Sequence, residues 1–332
     1  MSASPAPLPP ALRGAPFSTR TAAAAGVSPG RLRAQDLAAP HRGVRVPGTV
    51  PDGLAERCRA LLPVLPAGAR FSHATALALL DVELPWQAVV DERLHVEVST
   101  SGTRPRIRGV VAHRQTGRAP VLDVRGLPVL DPACAWTRLA ATLEIADLVV
   151  VADALCRRRQ PVSSPEQLGL AVAALPPGTR GVRRLRAALA ASRPGTDSCM
   201  ETRTRLALEG AGIVCDVNRP VDDAHGRFVA MPDLSDHRLR VAVEYDGDVH
   251  RTDRRTWRRD VARKQALEAV GWRVVTVTAD DLRPGETRWL RWVATARTSQ
   301  AALLAERAAD VPSAPREGTS SARSAASNPG GG

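Results

Sequence analysis

Lysine is almost absent: of the 46 basic side chains in 332 residues, one is lysine, Lys264. Arginine serves as the cation everywhere else, so a single compact ammonium with an easily shifted pKa stands out. A plain i,i+4 pair with Asp260 is its ordinary explanation. Cysteine pairs are missing too. Cys58, Cys134, Cys156, Cys199 and Cys215 are odd in number and never form C-x-x-C, which argues against a disulfide framework and a cysteine zinc site. No run approaches the roughly 18 apolar residues of a spanning helix, and the Pro/Ala-rich start through Pro16 lacks the apolar centre of a signal peptide. These absences predict a cytoplasmic protein with no membrane partner.

What is present is positive charge. A net charge of +12 and a sequence pI near 11.0, spread along the chain, suit a polyanion such as nucleic acid. The length predicts two or three domains, each able to bury a core. Residues 1–15 and 298–332 are rich in Ala, Pro, Ser and Gly and are expected to be disordered tails. The stretch Ser192 to Ser198 is the clearest linker, placing the major boundary near 195.

Phe17 to Pro47 predicts two short helices and a β-ribbon. Thr19 to Ala25 is helical in composition, Gly26 breaks it, and Ser28-Pro29 opens a second helix over Pro29–Leu37. Arg31 and Arg33 fall on that second helix, while Arg42 and Arg45 lie on the ribbon. Both suit a helix-turn-helix with a basic wing on DNA; the competing reading is a small helical cap with solvated arginines. Residues 53–160 alternate helical and strand patterns, an α/β module without a catalytic constellation. His73 follows Ser72 at a helix start and predicts a capping or core role. His95 and His113 lie in strands whose polar positions face solvent, and no ligand role is assigned to them.

The run Phe17 through Gly26-Val27-Ser28 and Arg42-Gly43-Val44, then Phe71-Ser72-His73-Ala74-Thr75-Ala76 and Gly126-Leu127-Pro128-Val129-Leu130-Asp131-Pro132, resembles AbiEi-type transcriptional regulators and antitoxins over about half of the chain. The resemblance implies a winged helix-turn-helix (16–50), an α/β module (51–160) and sequence-specific DNA binding, with connecting helices and linker over 161–198.

From Met200 the pattern is helix, hairpin, helix, strand. Leu239 to Asp246 reads as a strand, and period-two alternation puts Arg240, Ala242, Glu244 and Asp246 on one face. Asp233, expected at the end of a neighbouring strand over Phe228–Asp233, brings a further carboxylate. Such a group suits a hard divalent cation, which takes oxygen ligands and activates water; acidic strand ends and an Asp-Gly turn are the ordinary alternative. Across Arg254 to Val270, the positions of Trp257, Val261, Ala262, Ala266, Ala269 and Val270 predict an apolar docking stripe. Lys264 lies at its edge, with Arg258 and Arg259 placed for backbone phosphates.

The order Glu201, Pro232-Asp233, Glu244-Tyr245-Asp246-Gly247, His250, basic helix, Gly271-Trp272-Arg273-Val274-Val275 is similar to very-short-patch-repair (Vsr) endonucleases of the PD-(D/E)xK superfamily, over roughly Met200 to Leu282. The resemblance implies that Asp233 and Glu244 are the metal-binding acids, that Glu201 is the acidic residue of the preceding helix and that His250 assists proton transfer. Beyond it, the shared strand face adds Asp246 as a further ligand for Mg²⁺ or Mn²⁺, His250 or Glu201 is expected to handle protons, and Lys264 or Arg263 from the next helix is expected to supply the cation. Asp246 stands where such enzymes carry lysine. The expected fold is α/β throughout: a winged helix-turn-helix, an α/β module, and a restriction-endonuclease-like mixed sheet flanked by helices over 199–297. The expected function is Mg²⁺-dependent DNA hydrolysis. The alternative is an AbiEi-type regulator whose nuclease-like domain is inactive; a homodimer is left open.

Overall fold

In the computed structural model, residues 5–101, 103–115, 117–247 and 254–309 are described. The chain is mixed α/β, as expected. Its first part holds β1 (Phe17–Ser18), α1 (Thr19–Ala24), β2 (Leu37–Ala38) and β3 (Val44–Pro47), forming an antiparallel sheet in the order β1-β3-β2. Ser18 caps α1 by accepting the Thr21 N–H at 2.9 Å. The helix expected over Pro29–Leu37 is instead one 3-10 turn at Arg31–Arg33. Leu32 and Leu37 both enter a small core with Leu8, Leu12, Phe17 and Ala22. Spaced five apart, the two leucines cannot share one helical stripe, so packing favours the turn. The stretch before residue 16, read from composition as a tail, supplies Leu8 and Leu12 to that core.

The middle of the chain runs through α2 (Leu54–Leu61), β4 (Arg70–Phe71), α3 (His73–Leu79), α4 (Trp86–Val89), β5 (Leu94–Val98), β6 (Val110–Arg114), β7 (Val121–Val124), β8 (Leu127–Leu130), α5 (Pro132–Leu139), α6 (Ile145–Leu155), α7 (Pro165–Ala173) and α8 (Val182–Ala191). The sheet order is β6-β5-β4-β8-β7, with β5/β6 and β4/β8 parallel. Hydrophobic on nearly every side, α6 is buried from Asp147 to Leu155. Trp136 packs beside it, its indole N–H donating to the Leu148 carbonyl at 2.9 Å. The expected linker is fastened down: the Arg193 N–H donates to Asp153 at 2.7 Å, the Gly195 N–H donates to the Cys156 carbonyl at 3.0 Å, and Thr196 is buried.

Beyond it lie α9 (Cys199–Gly210), β9 (Asp216–Val217), β10 (Val221–Asp222), β11 (Phe228–Ala230), β12 (Leu234–Asp236), β13 (Val241–Asp246), α10 (Arg254–Ala269), β14 (Arg273–Thr278) and α11 (Arg288–Ala309). The sheet order is β14-β13-β12-β9, and α10 is the crossover between parallel β13 and β14. Alternation along β13 splits its side chains between two cores. Val241 and Val243 pack with Leu208, Val277 and Trp289, while Ala242 packs with Leu267, Trp272 and Val274. The docking face of α10 is centred on fully buried Leu267, not on Val261, which is 37% exposed. Instead of ending near 298, α11 continues to Ala309, because the Gln300 amide donates to the Arg240 and Gly271 carbonyls at 3.0 and 2.8 Å. Among the described residues no helix is long and apolar enough to cross a membrane.

Candidate functional site

Three acidic side chains approach one another where α9 meets the β12–β13 pair. Ser198 caps α9, its hydroxyl accepting the Glu201 N–H at 3.1 Å. In return the Glu201 carboxylate accepts from the Ser198 hydroxyl at 3.1 Å and the Asp197 N–H at 2.8 Å. The Asn218 amide donates to the same carboxylate at 3.2 Å, while the Asn218 N–H donates to the Asp233 carbonyl at 2.9 Å. Glu201 and Asp233 are thereby tied through one residue.

Asp233 lies in the connector before β12 rather than inside the strand expected over Phe228–Asp233, since β11 stops at Ala230. Its carboxylate accepts the Tyr245 N–H at 2.9 Å, which fixes it against β13. Glu244 is 7% exposed, and one of its oxygens, Oε1, is buried without a hydrogen-bond partner. Its other oxygen, Oε2, accepts from the Arg263 guanidinium at 3.1 Å. Arg263, not Lys264, therefore makes the direct contact. Lys264 is exposed on α10, close enough for its charge to act on Glu244.

Electrostatics follows from this crowding. Burial first, then the charge of Asp233, pushes the Glu201 carboxyl up to about 7. Burial raises Asp233 to about 6; Glu244 adds to the rise and the Tyr245 N–H opposes it. Glu244 is also raised by burial, against the pull of Arg263. An acid whose pKa is higher in the folded than in the unfolded chain binds the extra proton only when folded, so stability falls as pH rises from the ordinary carboxylate range through the folded value. Relative to the Asp233→Asn variant, the wild-type melting temperature is expected to decline between the ordinary values of 3.8 and 4.5 and the raised values of about 6 and 7. A difference between the two proteins that does not change with pH would contradict the raised carboxyl values.

Asp246 ends β13, half-buried and on the same face as Glu244. His250 lies outside the described residues. Arg258 and Arg259 are exposed on α10. In the N-terminal part, Arg33 and Arg42 are exposed, but Arg31 and Arg45 are held inside the fold. Arg31 pairs with both oxygens of Asp36, at 2.8 and 2.6 Å, and donates to the Ala6 carbonyl. Arg45 donates to the Leu32 and Val44 carbonyls at 2.6 and 2.7 Å.

Two features escaped the sequence reading. Along the sheet edge at β6, Arg93, Arg104, Arg106, Arg108 and Arg114 line an open groove of about 1210 Å³. Its signal was the alternation Arg104-Pro-Arg106-Ile-Arg108. The second is a cluster of His73, His95 and His113, all half-buried, whereas His95 and His113 were expected to face solvent. Among the described residues, this is the one group of three that brings His, Cys or carboxylate donor atoms within 4.8 Å of one another; the acidic residues are spaced more widely.

No family model matches the chain, and no curated protein matches it. A crystal structure of the RV2827C protein from Mycobacterium tuberculosis aligns with 58% of this chain and 75% of its own, at 19% identity and a TM-score of 0.35. At that score the likeness carries no conclusion about fold details or activity.

Proposed function

We propose that this is a DNA-binding protein whose C-terminal domain is a Mg²⁺-dependent, restriction-endonuclease-like hydrolase of the very-short-patch-repair type, preceded by a winged, DNA-reading N-terminal region. The observation that carries the reading is that Asp233 lies near enough to both Glu201 and Glu244 for their charges to act on one another, all three raised by burial, with one Glu244 oxygen buried and unpartnered. Mutually repelling carboxylates with a spare oxygen fit a hard, oxygen-seeking cation. When bound, Mg²⁺ would polarise the scissile phosphate and make water a stronger nucleophile. Asp233 and Glu244 would hold it, with Asp246 beside them at the strand end. Glu201, raised to about 7, can take or give a proton near neutral pH, and His250, outside the described residues, keeps the proton-transfer role that the resemblance to Vsr endonucleases implies. Exposed Lys264, Arg258 and Arg259 present cations on the neighbouring helix for phosphate.

One observation favours a second reading, in which the nuclease-like domain is inactive and the protein is an AbiEi-type regulator. The Arg263 guanidinium already neutralises Glu244 from 3.1 Å. Incubating purified protein with supercoiled plasmid in Mg²⁺ or in chelator separates the two: Mg²⁺-dependent nicking supports the first, and DNA binding without nicking supports the second.

Binding itself has its own test. Exposed Arg33 and Arg42 are the N-terminal phosphate or base contacts, whereas Arg31 braces the chain. Arg33→Ala with Arg42→Ala is expected to weaken DNA binding and lower its log-log salt slope by about 1 for each phosphate no longer neutralised, leaving the melting temperature nearly unchanged. Arg31→Ala is expected to lower the melting temperature instead. Equal DNA affinity and salt slope in the double variant would remove the N-terminal region from the interface.

A further inference from the structure

His95 and His113 come from the parallel pair β5/β6, where His95 stands opposite Val111 and Glu97 opposite His113. Same-face alternation makes the two histidines diagonal neighbours. His73 reaches them from the start of α3, with its backbone at φ 53°, a left-handed conformation unusual for a residue with a Cβ. Such strain persists where surrounding structure enforces it, and it is concentrated at ligand sites. Here the neighbouring backbone does the enforcing: the Ser72 N–H donates to the His95 carbonyl at 2.9 Å, and the His95 N–H donates to the Thr75 hydroxyl at 2.8 Å.

The protons can be counted. Asp91 as a carboxylate only accepts, so His95 Nε2, 3.2 Å from Asp91 Oδ2, carries the proton. In the neutral ring His95 Nδ1 is then a lone pair, and it faces His113 Nε2 at 3.0 Å. A proton on His113 makes this contact, and a cation about 2 Å from each nitrogen, off the line joining them, can take its place. On His73, Nδ1 lies 2.9 Å from the Ser72 hydroxyl. The Ser72 hydroxyl can donate or accept, so it allows the tautomer that leaves His73 Nε2 as the lone pair, while the Asp91 carboxylate fixes that of His95, as the outer contacts of metal-bound histidines do. The His73 ring stacks on His113 with centroids 3.8 Å apart.

We propose that His73, His95 and His113 form a three-imidazole site for a divalent transition-metal ion of the Zn²⁺ class, with Asp91 orienting His95. Imidazole nitrogen suits Zn²⁺, Cu²⁺ and Ni²⁺ rather than Mg²⁺, which separates this site from the oxygen-rich one on the C-terminal domain. Three protein donors leave a coordination position for water or an anionic group.

The test is Zn²⁺ titration of the chelator-stripped full chain in an Asp233→Ala background, so that the acidic site does not contribute. One Zn²⁺ per chain is expected, with His95→Ala and His113→Ala each weakening it by about 100-fold or more and Asp91→Asn by about 10- to 100-fold. His225→Ala, on an exposed residue elsewhere, is expected to bind as its parent does. Co²⁺ bound to the unsubstituted histidine cluster gives the intense absorption of a four-coordinate nitrogen-ligated ion, a readout that does not depend on any histidine variant folding. Absence of Zn²⁺ binding, binding unchanged by both histidine substitutions, or the weak spectrum of six-coordinate oxygen ligation would overturn the proposal.

Discussion

Asp153→Ala is expected to destabilise the protein by about 3 to 5 kcal/mol, the size seen when one partner of a buried ion pair is removed and its counter-charge stays behind. Asp153 is fully buried on α6, and the Arg205 guanidinium of α9 meets it at 2.8 Å while being 1% exposed. The Thr202 hydroxyl at 3.0 Å and the Arg193 N–H at 2.7 Å donate to the same carboxylate. Removing it takes an acceptor from three donors and leaves the buried Arg205 with only the partly exposed Glu209, at 2.9 Å, as a counter-charge, against a total stability of about 5 to 15 kcal/mol for a typical domain. Replacing both charges, Asp153→Leu with Arg205→Met, is expected to cost less than the single change, because no buried charge is left behind and Glu209, which also loses Arg205, is 24% exposed. Urea unfolding measures both; a single variant losing under about 1 kcal/mol would mean the pair behaves like a surface one. Since α9 also carries Glu201, this lock fixes one wall of the acidic site from the neighbouring module.

Mg²⁺ is expected to raise the melting temperature of the full chain, and Asp233→Ala is expected to abolish the rise. A ligand that binds only the folded state stabilises by about 2.7 kcal/mol at 100 times its Kd, which for a chain this long corresponds to about 5 to 10 °C. The apo variant is expected to be at least as stable as wild type at neutral pH, because one of three repelling carboxylates has gone. A Mg²⁺ shift that survives in Asp233→Ala would place the cation elsewhere. Mg²⁺ rather than Zn²⁺ is the probe because the histidine cluster competes for softer ions.

Local periodicity made much of the acidic site legible. Alternation alone separates Val241 and Val243 from Ala242 and Glu244, and the two faces of β13 do enter different cores. The Ser198 cap that starts α9 is a local feature of the same kind, but in the sequence Ser198 reads only as the end of a linker. Long-range pairing was not legible. His95 and His113 meet only through the parallel register of β5 with β6, and His73 joins them across another strand, so no spacing in the chain announces the trio. Arg31 looked like a groove reader on a helix, but Leu32 and Leu37 must both pack inward and the segment tightens to a single turn, turning Arg31 onto Asp36. On α10 the alanine-rich pattern suggested a stripe through Val261; Leu267 anchors the helix, so Arg263 rather than Lys264 reaches Glu244.

The most direct measurement is the initial rate of plasmid nicking by wild type and Asp233→Ala in parallel, in Mg²⁺ and in chelator. Nicking by wild type only in Mg²⁺, lowered by about 100-fold or more in the variant, is the predicted result, on the scale of losing a group that stabilises developing charge. Equal rates in the two proteins, or no nicking by wild type at any Mg²⁺ concentration while DNA is still bound, would contradict it.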